Sequence, residues 1–365
     1  MTKNWQSCYF CSNHTASPID FMMSQININT ESGSSTIILG EPFQELGKFL
    51  PGDNVVIITD EIVYSHYAKQ FPQFPVVQIG TGEKIKNLQT VNEIFEQLLK
   101  LNVDRFTFIL GVGGGIVCDV TGFVASTFLR GLKFGYVSTT LLSQVDASLG
   151  GKTCINFNGF KNLIGIIRQP SFVFCDPEML DTLSERDYMS GFAEIIKHAV
   201  IRDEGLFRKI ENNIEKVKGR DRDFILGLIS ESIKIKAAIV EKDVNEVGLR
   251  RLLNYGHTFG HAIETVHNLN HGEAISLGMV MANRFSAFKG SLDPREEARL
   301  IQILENLTLL KKISFDKNLI WEAIMVDKKK HKENIHFVQI EKIGNGYVEE
   351  IALEELKIFH HRFKA

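Results

Sequence analysis

Between residues 24 and 176 the chain repeats one pattern: a short apolar run bounded by Gly, Pro or Asp, then a stretch with helical periodicity. The runs are Thr36 to Leu39, Asn54 to Thr59, Pro75 to Ile79, Phe106 to Leu110 and Phe134 to Val137, with Gln25 to Asn29 alternating ahead of them. Leu88 to Leu101 is the clearest helical partner, with Val91, Ile94, Phe95 and Leu98 on one face. Continuous apolar runs alternating with amphipathic helices predict a doubly wound, mostly parallel sheet covered on both faces. Ligands of such sheets sit at the carboxyl ends of the strands. From about residue 177 the runs give way to helical stretches: Tyr188 to Arg202, Glu204 to Lys216, Asp223 to Lys242, Val247 to Val266, Glu273 to Phe288 and Pro294 to Asn306. The expected fold is an α/β domain over residues 23–176 followed by an all-α domain over 177–365. A chain of 365 residues also exceeds what one ordinary core holds.

Charge narrows the partners. Lys+Arg (41) and Asp+Glu (44) nearly cancel, so bulk electrostatics point to neither nucleic acid nor an anionic membrane surface. No run approaches about 18 apolar residues, and no basic-then-apolar leader opens the chain, so a cytoplasmic protein is expected. Five cysteines at irregular spacing argue for reduced thiols. Residues 1–22 show no periodicity and are expected to be a disordered extension or a misassigned start, with Met22 or Met23 as the true initiator. Their Cys8-x-x-Cys11 and His14 make only half a metal site.

The glycines lie where a ligand is expected. Leu110-Gly-Val-Gly-Gly-Gly-Ile-Val-Cys-Asp119 follows a strand and opens a helix, so Gly113, Gly114 and Gly115 would let backbone N–H groups approach a pyrophosphate. Asp60, at the end of an earlier strand, suits a ribose hydroxyl, and Gly82-Glu83-x-x-Lys86 could close over the same ligand. Beyond Phe134 to Val137, the small and hydroxylated run from Ser138 to Lys152, then Lys161-Asn162, suits an anionic substrate at the mouth of the sheet.

Two stretches of the helical half carry chemistry. Glu194 and Lys197 stand one turn apart among Phe192, Ala193, Ile195, Ile196 and Ala199, which predicts a buried pair committed to a metal or an anion. If residues 246–264 form one helix, Glu246, Arg250, Asn254, His257 and His261 share a face, with Val247, Leu252, Phe259, Ala262 and Ile263 buried opposite. His257 and His261, with His271 ten residues on, have the spacing of a metal site that needs one more ligand. Asp327 to Lys330 reads as a solvated charge run ahead of a strand-like Ile335 to Ile340.

The motifs taken together resemble one family. Gly113-Gly-Gly-x-x-x-Asp119, Arg130-Gly131, Thr139-Thr-Leu-Leu142, Asp146-x-Ser-x-Gly-Gly-Lys152, Lys161-Asn162, Gly191-x-Ala-Glu194-x-x-Lys197 and Arg250-x-x-Leu-Asn254-x-Gly-His257-Thr-x-Gly-His261-Ala-x-Glu264, ending at His271-Gly-Glu273, are similar to the 3-dehydroquinate synthases. These are sugar phosphate cyclases related to metal-dependent polyol dehydrogenases. The resemblance implies a lyase using NAD and one divalent metal, zinc or cobalt. Its substrate would be 3-deoxy-D-arabino-heptulosonate 7-phosphate, cyclised through transient oxidation, phosphate elimination, re-reduction and aldol closure.

By the same resemblance, Glu194, His257 and His271 would hold the metal. Asp60, Glu83, Lys86, Gly113 to Gly115, Asp119, Thr139 and Thr140 would lie against NAD. The substrate carboxylate would meet Arg250 and Asn254 with Lys161 nearby. Its phosphate would meet Lys152, Asn162, His261 and Lys328 or Lys329, completed by Arg130 of a neighbouring subunit in a homodimer. Asp146, Lys197, Lys236 and Glu246 would line the reacting hydroxyls. A sister cyclase for another sugar phosphate would share the NAD and metal residues but change the carboxylate-binding set, whereas a polyol dehydrogenase would produce net NADH. Ser138 and Ser184 stand where the family usually has Pro, and Val244 where it often has an acid.

Overall fold

Alternation along the parallel strands builds two cores. Val55 and Ile57 point into one cluster, with Phe108, Leu110 and Val112, while Val56, Ile58 and Ile109 point into the other. The strands belong to a computed structural model that describes residues 24–314, 316–328 and 333–362, with only the backbone of 326–328. Cys8, Cys11, His14 and Lys329 lie outside the described residues, and Lys328 is placed only by its backbone at a helix end.

The strands of the first half are β1 (Ser24–Thr30), β2 (Gly33–Leu39), β3 (Val55–Asp60), β4 (Val76–Ile79), β5 (Phe108–Gly113), β6 (Phe134–Ser138), β7 (Lys152–Phe157), β8 (Phe160–Ile167) and β9 (Phe172–Cys175). Seven form one sheet in the order β1-β2-β9-β6-β5-β3-β4, antiparallel only between β1 and β2. Helix α1 (Glu61–Tyr67) packs into the core on one face, and α2 (Leu88–Lys100) and α3 (Gly115–Thr127) into the core on the other. The chain runs outward from β3 to β4 and back past β3 to β5, so the crevice between β3 and β5 is the topological switch point. Asp60 ends β3 and Gly113 ends β5, which sets both at its mouth.

One strand boundary changes. The strand expected from Phe106 begins at Phe108 and runs to Gly113, leaving Phe106 82% exposed. After Gly151, β7 and β8 form an antiparallel hairpin that carries Lys152, Lys161 and Asn162. None of Gly113, Gly114 and Gly115 has positive φ. These glycines supply room, since a Cβ would lie 2.5 Å from Val117 at Gly113, 3.0 Å from Thr140 at Gly114 and 3.0 Å from Ala147 at Gly115.

The second half comprises α4 (Glu185–Arg202), α5 (Glu204–Glu211), α6 (Ile214–Lys218), α7 (Arg222–Lys242), α8 (His257–His267), α9 (His271–Phe288), α10 (Pro294–Asn306), α11 (Lys317–Lys328) and α12 (Leu353–Arg362). It is helical as expected, with one antiparallel pair added, β10 (Asn334–Lys342) and β11 (Asn345–Ala352). The core above α3 continues into these helices without a break. Ser184, in place of the family's Pro, caps α4 by accepting from the Asp187 N–H at 3.1 Å. Among the described residues no helix is long and apolar enough to cross a membrane.

The single helix expected over 246–264 is not formed. Asp243 accepts from the N–H groups of Val247, Gly248 and Arg250 at 3.0, 2.7 and 2.9 Å, closing a loop that competes with helical bonding. A 3₁₀ turn over Leu249–Asn254 follows, and Gly256 at φ 79° breaks the chain before α8. Val247 is therefore 72% exposed rather than buried, whereas Leu252, Phe259, Ala262 and Ile263 are buried as expected. The glycines also let α8 and α9 meet backbone to backbone. A Cβ on Gly278 would stand 2.0 Å from the Gly256 carbonyl. Gly278→Ala is expected to cost about 2–3 kcal/mol, the upper range for overpacking. A urea midpoint equal to the parent's would show that the two backbones separate freely.

Candidate active site

The break before α8 turns His257 inward. Its Nδ1 lies 3.1 Å from the Tyr255 carbonyl, which only accepts, so Nδ1 carries the proton and Nε2 keeps its lone pair. That Nε2 lies 3.7 Å from Glu194 Oε1, on α4. His271, the first residue of α9, brings its own Nε2 to 3.2 Å from the same oxygen. The three ligand atoms all lie within 4.8 Å of one another, and Glu194 is fully buried. One carboxylate and two imidazoles converging this way suit a divalent metal with coordination positions left for a substrate. His261 points its ring against His257 and His271, at 5.1 and 6.3 Å between centroids, but does not join the donor set.

Electrostatics set the protonation state of each donor, and a metal would have to displace the Nε2 proton of His271. Burial pushes His257 well below the usual imidazole range, helped by the nearby Lys197 ammonium, so its lone pair is available. Burial also disfavours the His271 cation, but hydrogen bonds with Glu194 and Glu264 outweigh it and lift His271 to about 9. Burial opposes ionisation of Glu194, yet Lys197 holds its carboxyl well below the usual range.

A second buried cluster adjoins the first. Lys197 on α4 contacts Glu194 Oε2, donates to the Leu253 carbonyl at 2.8 Å and lies 3.9 Å from Asp146 Oδ1. Lys236 on α7 donates to both the carbonyl and Oδ1 of Asp146, at 2.5 and 2.6 Å. Asp146 sits in a π-helical turn over Ser143–Ala147, beyond the end of β6. Burial opposes its ionisation, but Lys236 and Lys197 hold it well below the usual range. Asp146, Glu194 and His198 also cluster closely enough to ligate a metal. Two ammonium groups already occupy that space, which disfavours a cation there.

At the mouth of the sheet the expected nucleotide residues pair among themselves. Lys86 forms an ion pair with Asp119 at 2.6 Å and donates to Asn162 at 2.5 Å. Glu83 accepts from Asn156 at 2.7 Å, and Asp60 caps α1 through the Val63 N–H at 2.8 Å. The Thr139 N–H donates to the Gly113 carbonyl, and Thr140 exchanges hydrogen bonds with Ser143. The hairpin reaches the helical half through two ion pairs, Lys152 to Glu246 and Lys161 to Glu264, the latter at 2.5 Å. Asn254 also donates to Glu246. Arg250 is buried, with its fork on the Gly150 carbonyl, 3.1 Å from each terminal nitrogen, and on the Val244 carbonyl at 2.7 Å.

This geometry meets a family-level match. The pattern of the 3-dehydroquinate synthase N-terminal domain covers residues 76–190, and that of the C-terminal domain covers residues 191–330. The chain belongs to the 3-dehydroquinate synthase family.

Among the relatives, the 3-dehydroquinate synthase of Acetivibrio thermocellus is 38% identical over 87% of this chain and 92% of its own. That of Geobacter metallireducens is 43% identical over 73% and 76%. The fold matches a 2-deoxy-scyllo-inosose synthase solved with carbaglucose-6-phosphate, NAD+ and Co2+, at a TM-score of 0.81 and 24% identity over 92% of this chain and 99% of that one. It also matches 2-epi-5-epi-valiolone synthase from Streptomyces hygroscopicus, solved with NAD+ and Zn2+, at 0.79 and 23% over 97% and 98%.

Within this 3-dehydroquinate synthase-family chain, Glu194, His257 and His271 meet, as do Asp146, Lys197 and Lys236. Arg130 stands apart at the end of the 3₁₀ turn Phe128–Arg130 that follows α3, exposed, in a left-handed conformation and without an ion pair among the described residues. Two residues escaped the sequence reading. His198 is buried, its Nδ1 2.8 Å from Ser232 Oγ and its Nε2 3.8 Å from Asp146 Oδ1, and burial lowers it to about 3. Its signal was its place one turn after Glu194. Glu264 lies seven residues after His257, on the same face of α8, and that spacing could have raised it.

Proposed function

We propose that this chain is a 3-dehydroquinate synthase, which turns 3-deoxy-D-arabino-heptulosonate 7-phosphate into 3-dehydroquinate and inorganic phosphate. The observation that carries this reading is the meeting of the Glu194, His257 and His271 donors with Asp146 and two buried lysines, in a chain of that family. NAD and one divalent metal, zinc or cobalt, complete it. When bound, they supply a reversible hydride acceptor and a Lewis acid for neighbouring substrate hydroxyls. The cofactors in the solved cyclases support that pair.

The chain's own groups bind, orient and move protons. Glu194, His257 and His271 would hold the metal, and Asp60, Glu83, Lys86, the 113–115 glycines, Asp119, Thr139 and Thr140 would hold NAD. Lys236 pins Asp146 through Oδ1, leaving Oδ2 without a hydrogen bond among the described residues and able to accept a hydrogen bond from a substrate hydroxyl. Lys152 and Lys161 are paired with Glu246 and Glu264, so the substrate's anions would take over from these carboxylates. Phosphate would go to Lys152 and Asn162, with His261, Lys328 or Lys329 and the partner's Arg130. The substrate carboxylate would go to Lys161, Arg250 and Asn254.

The deciding assay supplies the heptulosonate phosphate and a trace of NAD. Phosphate release many times the NAD supplied, with no net NADH, supports the reading. Net NADH would instead indicate a polyol dehydrogenase, and turnover only of sugar phosphates lacking the carboxylate would indicate a sister cyclase. Burial lowers Lys236 to about 8 although Asp146 opposes the shift. Because the ammonium form holds Asp146, kcat/KM is expected to fall as pH rises through about 8, with that limb lost in Lys236→Met. A flat profile in the parent would remove this role.

The same reading divides the chain after residue 176, supported by the last strand of the seven-stranded sheet ending at Cys175. It includes a homodimer, supported by the exposed Arg130, which has no ion pair among the described residues, and tested by light scattering with Arg130→Ala. It also includes a cytoplasmic setting, supported by free thiols at Cys118, Cys154 and Cys175.

A further inference from the structure

Each imidazole of the donor set needs its outer nitrogen held if the inner one is to keep a lone pair. His257 takes this from the backbone, through the Tyr255 carbonyl at 3.1 Å. His271 has no such carbonyl in reach among the described residues. Its Nδ1 instead faces Glu264 Oε2 at 3.4 Å, while its Nε2 faces Glu194 at 3.2 Å. A carboxylate accepts only, so Glu264 keeps the proton on Nδ1 when Nε2 gives up its own to a metal beside Glu194.

The other oxygen of Glu264 is not idle. Oε1 receives Lys161 Nζ at 2.5 Å, from the β7–β8 hairpin of the α/β half. Glu264 itself is held two helical turns after His257 on α8, its side chain 16% exposed. One carboxylate therefore touches a donor residue on one side and, on the other, a lysine from the other half of the molecule.

We infer that Glu264 is the positioning residue for His271: it fixes the tautomer and ring direction that present Nε2 to the metal, and Lys161 fixes Glu264 in turn. Anion binding at Lys161 would loosen that hold, so occupancy of the substrate site is communicated to the metal ligand. This inference rests on the metal-site reading above and goes beyond it, since neither spacing nor family pattern gave Glu264 a task.

The test is Co2+ binding to the metal-free full chain, by chelator competition and by the visible spectrum of the bound ion, without any turnover. Glu264→Ala is expected to weaken Co2+ about 10–100-fold, the usual cost of removing such a partner, and to shift the cobalt bands. The melting temperature of the metal-free protein should stay at the parent value. Glu264→Gln keeps an accepting oxygen and is expected to lie closer to the parent than Glu264→Ala. Wild-type affinity and spectrum in Glu264→Ala would overturn the inference. So would equal losses in both variants accompanied by a lower melting temperature without metal, which would mark a structural role. His257→Ala and His271→Ala run alongside. If they too bind Co2+ like the parent, the metal-site reading itself fails, an outcome distinct from failure at Glu264 alone.

Discussion

His257→Ala is expected to strip the metal and with it nearly all turnover. The site has three donors, and a protein-bound zinc ion is worth on the order of 10 kcal/mol, so losing one donor should cost about 3 kcal/mol or more. That is at least about a hundredfold in affinity. The fold should survive, because Glu194 keeps its contact with Lys197, and α8 remains packed through Phe259, Ala262 and Ile263. The checks are metal content after dialysis, kcat/KM and the melting curve. Full metal occupancy in the variant would remove His257 from the donor set, and Glu194 and His271 alone would not make a site.

Arg250→Lys should leave the metal in place and lower kcat/KM by about 2–4 kcal/mol, the cost of breaking a buried charge-assisted contact. The guanidinium sits 3% exposed with two nitrogens on the Gly150 carbonyl and one also on Val244, an arrangement that a single ammonium cannot reproduce. Gly150, at φ 87°, has space for this only because it lacks a Cβ, which would stand 2.7 Å from Arg250 Nη2. The same arginine thus shapes the Gly150-Gly151 turn that precedes Lys152, and a lysine there should disturb phosphate binding as well as carboxylate binding. Metal analysis beside kinetics separates the cases. Parent-like kinetics would show that Arg250 does not anchor the carboxylate, and loss of metal would show that it supports the donor set instead.

The two predictions differ in how far the sequence could carry them. The candidate donor set of Glu194, His257 and His271, which the family resemblance implied, does converge, but the continuous helix expected over 246–264 does not form. Helical periodicity put Glu246 through His261 on one continuous face; Asp243 and Gly256 divide that stretch into a loop, a 3₁₀ turn and a helix. A side chain that captures three backbone N–H groups leaves no trace in hydrophobic periodicity.

What the sequence determined by itself was what local pattern encodes. Apolar runs bounded by breakers yielded the parallel strands, and the continuity of those runs yielded a sheet buried on both faces. Burial of Glu194 and Lys197 followed from the apolar residues around them, since a charged pair in such company has to satisfy itself internally. Tertiary structure alone decided the pairings between distant segments. Lys161 and Glu264 are 103 residues apart, Lys236 and Asp146 are 90 apart, and nothing at either end of such a pair specifies its partner. It also decided that the Gly113 to Gly115 run serves close approach rather than a left-handed turn, because Val117, Thr140 and Ala147 reach those positions only once α3 has packed against the sheet. Chain pattern fixes which residues are buried, while the identity of the buried neighbour depends on how the elements close over one another.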